Sequence, residues 1–139
     1  MSARATSMIL WAVFFGFTAT AVILNWDVRL LEFGSATGIV RLTLSVVWIG
    51  FLAYSIFCST RESLFRTVGV MGQFYWGRQI GIDLYISVFL SIGLVYLVTG
   101  SPLATILWGL AFVPFANLAI LLFVILHLNT IVAMSGTSI

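Results

Sequence analysis

Four long apolar runs decide what this chain can become. The first, Met8–Trp26, reads MILWAVFFGFTATAVILNW, and the second, about residues 40–58, contains LTLSVVWIGFLAYSIFC. The third covers about 80–98 and the fourth about 103–128. A hydrocarbon core roughly 30 Å thick takes about 20 helical residues to cross, so each run suffices for one passage. None alternates polar and apolar residues strictly, which favours helices over barrel strands. In lipid every backbone amide and carbonyl must be paired, and a helix does this within its own segment.

Composition closes off the soluble alternatives. Only 7% of the 139 residues are charged, against about a quarter in an ordinary soluble domain, so no water-facing coat can be assembled. The expected architecture is therefore all-α: one domain, residues 1–139, a polytopic membrane protein of four transmembrane helices. The first run carries Ala19-Thr20-Ala21, which resembles a leader cleavage site. Its apolar stretch continues past that site, so it is read as a retained helix.

All six basic residues are arginines, at 4, 29, 41, 61, 66 and 78. They are scattered, whereas a nucleic-acid surface needs a cluster, so nucleic acid is not an expected partner. The single Cys58 excludes an internal disulfide. With four spans, Arg4, Arg61, Arg66 and Arg78 fall on one side, and Arg29 and Arg41 on the other. The positive-inside rule then places both termini in the cytoplasm, with the chain in a bacterial inner membrane.

The link between the second and third runs has structure of its own. Ser59-Thr60-Arg61-Glu62 has the spacing of a capping box. Leu64, Phe65, Val68 and Met71 then recur at helical intervals, so a short amphipathic helix lying in the interface is expected over about 60–71. Phe74, Tyr75 and Trp76 follow as an aromatic belt. Arg61, Arg66, Trp76 and Arg78 serve as interface anchors. Thr99-Gly100-Ser101-Pro102 forces the third and fourth runs into a tight hairpin.

Polar residues within the runs are few. Gln79, Asp83, Ser87 and Ser91 stand four apart and make one stripe down the third helix. Arg78 lies five residues from Asp83, about 140° around the helix, so the two do not pair within it. The stripe reads either as a hydrophilic path or as a contact to a neighbouring helix. Asp83 sits only one turn inside the run, near the headgroups, which favours the contact. Pro114 removes an amide and loosens the fourth helix, giving a kink. Asn117 is then placed to bond Ser87 or Ser91 across the hairpin. Ala12, Gly16 and Thr20 form a small-residue ridge that permits close helix approach.

His127, the only histidine, is either a pigment ligand or an interfacial residue complementing a helix C-terminus. Trp11, Trp48, Trp108 and the phenylalanines supply walls suited to a lipid, quinone, carotenoid or (bacterio)chlorophyll. No catalytic residues and no metal-ligand set are found in the sequence. The expected function is a non-catalytic accessory subunit of a larger integral-membrane complex, with membrane lipids and other subunits as partners. A hetero-complex is favoured over a homodimer. The alternative is a small homo-oligomeric transporter or channel lined by the Gln79–Asp83–Ser87–Ser91 stripe.

Overall fold

The computed structural model describes residues 2–136, and among these every regular element is helical. Helix α1 is Ala3–Leu24, and a 3₁₀ turn at Val28–Leu31 leads to α2, Ala36–Arg61. Then come α3, Leu64–Met71; α4, Tyr75–Thr99; α5, Pro102–Phe115; and α6, Asn117–Met134. Of these α1, α2, α4 and α6 are long and apolar enough to cross a membrane, while α5 has 14 residues. Three of the helices, α1, α2 and α5, begin where short hydroxyl side chains accept orphan amides. Ser2 accepts from the Ala5 amide, Ser35 from Gly38 and Ser101 from Ala104. Gly100 ends α4 with φ 62°, a conformation glycine adopts freely, and Pro102 opens α5 immediately afterwards.

Two boundaries differ from the sequence expectation. Helix α2 runs on through Arg61, so Ser59-Thr60-Arg61-Glu62 is not a capping box. Instead the Ser59 hydroxyl accepts a hydrogen bond from Trp11 Nε1 at 3.0 Å, and Thr67 donates to the Glu62 carboxylate at 3.2 Å. A separate short helix does follow, but it starts at Leu64, and its N-cap Ser63 makes no side-chain cap bond.

The larger difference is in the fourth run, which builds two helices instead of one kinked helix. Proline at 114 deprives the Leu110 carbonyl of its amide donor, and the helix stops one residue later. Ala116 then takes φ 40° and ψ −116°, the only positive φ outside glycine among the described residues. With that residue the chain reverses. Trp108 and His127 are 19 positions apart in sequence, yet their rings meet at 6.2 Å; Trp108 and Phe123 meet at 5.1 Å. In a continuous helix a separation of 19 residues spans about 28 Å. Helices α5 and α6 are therefore an antiparallel hairpin.

The hairpin reaches half-way down the bundle. Its tip touches Phe14, whose ring lies 4.7 Å from that of Phe115. It also touches Trp48, whose indole donates to the Leu118 carbonyl at 2.8 Å. Phe14 and Trp48 each stand at the middle of their own helix. From there α6 climbs back to the end of the bundle that holds Arg29 and Arg41. Arg41 donates there to Asn129. Trp11 and Ser59 join at the opposite end. The described C-terminal turn of α6 thus lies at the bundle end away from the start of α1. The sequence expectation of both termini on one side rested on a fourth complete passage, and the hairpin removes that basis.

Burial follows the same division. Val88, Val95, Trp108, Ala111, Phe112, Ala119, Leu122 and Phe123 form the core with Ala21, and all belong to the half occupied by the hairpin. Phe14 closes this core at mid-depth. In the other half, α1 before Phe14, α2 after Trp48, α3 and α4 before Val88 contain no buried residue among those described.

Candidate functional site

Polar side chains gather at three places: the α2–α6 seam, the exposed half of α4, and the hairpin tip. At the seam, Arg41 is only 3% exposed although arginine is always charged. Its Nε donates to the Ile125 carbonyl at 3.3 Å, one terminal amino group to the Arg29 carbonyl at 2.6 Å, and the other to Asn129 Oδ1 at 2.8 Å. All three acceptors are neutral. One heptad further along α2, Trp48 donates to Leu118, which lies one heptad before Ile125 on α6. Antiparallel packing brings these two rungs into register. Each rung hands a side-chain donor to a backbone carbonyl of α6. Sequence reasoning put Arg41 at the start of the second run, on the side opposite Arg4, Arg61, Arg66 and Arg78, and gave it no partner. The signal that locates it was its position one heptad before Trp48 on a helix that starts at Ala36.

On α4 the buried residues Val88 and Val95 define the packing face. By the 100° helical step, Arg78, Ile82, Tyr85 and Phe89 lie on one flank of it, and Gln79, Asp83 and Ser87 on the other. Ser87 donates to the Asp83 carbonyl at 3.2 Å and Ser91 to the Ser87 carbonyl at 2.8 Å, so both hydroxyls are satisfied within their own helix. The side chains of Gln79 and Asp83 are exposed and make no hydrogen bond among the described residues. Arg78 and Asp83 do not pair. Arg78 instead donates from Nε to the Gly72 carbonyl at 2.8 Å and lies 5.4 Å from the centre of the Tyr75 ring.

At the hairpin tip Asn117 is exposed, and its side chain makes no hydrogen bond among the described residues. The expected link from Asn117 to Ser87 or Ser91 does not form, because the tip turn carries residue 117 out of the α4–α5 seam. Pro114 is exposed beside it.

The remaining predicted residues have settled elsewhere. Ala12, Gly16 and Thr20 face outward on α1, opposite Phe14 and Ala21. Thr20 bonds back to the Gly16 carbonyl at 2.9 Å, and nothing lies within 4 Å of where a Gly16 Cβ would stand. The ridge therefore packs on no helix of this chain. His127 stacks on Phe123 at 4.3 Å, and its Nδ1 faces the Phe123 carbonyl at 3.1 Å. Trp11, Trp48 and Trp108 do not wall one pocket. Trp11 reaches Ser59, Trp48 reaches Leu118, and Trp108 is packed among Phe17, Phe112, Phe123 and His127. Arg61 lies 5.2 Å from the Phe57 ring centre, and Arg66 and Trp76 are exposed. Compared with known protein families, curated proteins and solved structures, the chain matches none.

Proposed function

We propose that the chain is a non-catalytic accessory subunit of a larger integral-membrane assembly, and that a partner helix covers the polar flank of α4. One observation carries this reading: Gln79 and Asp83 stand exposed on a half-helix that contains no buried residue. An unpaired carboxylate at the edge of the hydrocarbon is less favourable than one met by donors from a neighbouring subunit. The outward ridge of Ala12, Gly16 and Thr20 supplies a second face fit for close helix approach. Two unlike faces on different helices call for unlike partners, so a hetero-complex is favoured over a homodimer.

Four arginines, at 4, 61, 66 and 78, share the α3 end of the bundle with two acidic residues, Glu62 and Asp83. That end belongs in the cytoplasm by the positive-inside rule, with α3 in the interface and the α6 end on the other face. The chain then crosses the cytoplasmic (inner) membrane three times and re-enters once. In such an assembly a pigment ligand at His127 uses Nε2, since Nδ1 faces a carbonyl. An absorption spectrum of the purified complex tests that role.

The assembly is tested by extraction in mild detergent, native mass spectrometry, and a photo-crosslinking residue placed at Asp83 or at Phe89. A second integral-membrane polypeptide should co-purify and crosslink from position 83. A clean monomer, with no protein adduct from position 83, would sink the proposal.

A second reading, a small homo-oligomeric transporter or channel, draws on the helix break at mid-depth. There the Leu110 carbonyl lacks its donor and Asn117 is unpaired. Broken helices in transporters expose backbone in this manner. It requires proteoliposome flux that falls in Asp83→Asn; flux that is absent, or equal in both proteins, removes it.

A further inference from the structure

We infer that Arg78, together with the apolar flank of α4 beyond it, is a binding site for one anionic phospholipid. The site starts from the turn between α3 and α4. Gly77 has no side chain, and a Cβ there would collide with the Met71 carbonyl, so only glycine lets α4 start this close to the end of α3. The same turn presents the Gly72 carbonyl to Arg78 Nε at 2.8 Å and sets the guanidinium over Tyr75. Held from two sides on an exposed side chain, the guanidinium keeps two terminal amino groups with no partner among the described residues. A planar fork fixed in this way suits a phosphate, which it can grip with two parallel bonds.

Beyond the arginine runs a shallow groove lined by Gly81, Ile82, Tyr85, Ile86 and Phe89. Gly81 makes the dent, since its missing side chain leaves open space between Arg78 and Tyr85. From Arg78 to Phe89 the groove is about 16 Å long, half of a roughly 30 Å hydrocarbon core. That is the depth of one leaflet, with the charge at the headgroup end. A partner transmembrane helix would match the full thickness, and a free anion would have no use for the apolar half. Charge points the same way. The α3 end has four arginines against Glu62 and Asp83, whereas Arg29 and Arg41 at the far end are balanced by Asp27 and Glu32. The occupant is therefore a lipid with a net negative headgroup, of the phosphatidylglycerol class, in the leaflet facing the arginine-rich end.

The full chain in mild detergent is titrated with phosphatidylglycerol and with phosphatidylcholine of identical acyl chains, and bound lipid is counted by native mass spectrometry. One phosphatidylglycerol should be retained in preference to phosphatidylcholine. Arg78→Gln should weaken that retention about tenfold, and Arg78→Lys should recover part of it, because the fork contributes beyond the charge. Gly81→Leu, which fills the groove and leaves the arginine, should reduce retention of both lipids. Arg61→Gln should leave the preference unchanged. Equal retention of the two lipids, or an undiminished preference in Arg78→Gln, overturns the site. So does displacement by millimolar inorganic phosphate, which would mark an anion site without lipid. A lipid-free dimer would mean that a second copy covers this flank, and would overturn it equally.

Discussion

The two halves of this bundle are made from similar residues and behave as different materials. In the half nearer Arg41, five helical segments surround one core, and Phe112, Phe123 and Val95 are sealed within it. In the half nearer Arg61, only α1, α2 and α4 continue, joined by the short α3, and none of the described residues is buried. Hydrophobicity does not separate the two, since the long helices are apolar throughout. The α5–α6 hairpin does, because it fills the space between three helices for half their length and then turns back. Packing inside a membrane comes from fitted contacts and hydrogen bonds, since lipid tails are as apolar as the side chains they would replace. Where the hairpin is absent, α1 and α2 meet through the Trp11–Ser59 hydrogen bond and no core is enclosed among the described residues.

The contrast can be broken most directly at Arg41. Its guanidinium joins the 3₁₀ turn, α2 and α6. Arg41→Leu should cost about 3–5 kcal/mol, because three hydrogen bonds from a charged donor are lost and the Asn129 side-chain oxygen is left unpaired in a buried seam. Arg61→Gln in the open half should shift stability by less than about 0.5 kcal/mol. Thermal unfolding in detergent compares the two, and similar losses would mean that the seam is not what holds the hairpin.

Aromatic truncations sharpen the same contrast without changing charge. Phe123→Ala, in the core, should lose about 3 kcal/mol. Phe57→Ala, with its ring 52% exposed, should lose well under about 1 kcal/mol. Comparable losses would show that the open half is packed after all.

Trp48→Phe is a narrower probe, since it keeps the ring against Phe14 and removes one donor. A cost of about 1 kcal/mol is expected for the lost indole bond, since the Leu118 carbonyl keeps its partner within α6. Denaturation of the double variant with Arg41→Gln should show the two rungs to be coupled. The smallest change is expected at the turn. Ala116 holds φ 40° and ψ −116°, where an L side chain is strained, so Ala116→Gly should stabilise the hairpin by about 0.5–1 kcal/mol. A loss of stability there would mean that the alanine methyl packs and that the strain is not the controlling term.

Much of the architecture was legible in the residues themselves. Runs of apolar residues too long for any soluble helix, with too few charges for a wet surface, leave only membrane-length helices, and four such helices are present. Pro114 marked the place where the fourth run loosens, because a missing amide breaks a helix wherever it occurs. The polar stripe on α4 was legible as well, since helical geometry alone puts Gln79, Asp83 and Ser87 on one side. The serines proved local, bonding back to their own helix, which spacing cannot distinguish from a contact to another helix.

What only the tertiary structure decided was the reversal at Ala116 and the fate of Arg41. A proline-weakened helix can bend slightly or turn back, and the choice depends on which surfaces receive the second half. Here two donors on α2, Arg41 and Trp48, meet two carbonyls of α6 one heptad apart, and that match exists only when α6 runs antiparallel to α2. The residues that determine the turn, Trp48 and Arg41, are therefore 68 and 75 positions away from Ala116. Local pattern cannot carry such a signal, because a hydrogen bond to a backbone carbonyl leaves no mark on the identity of the accepting residue.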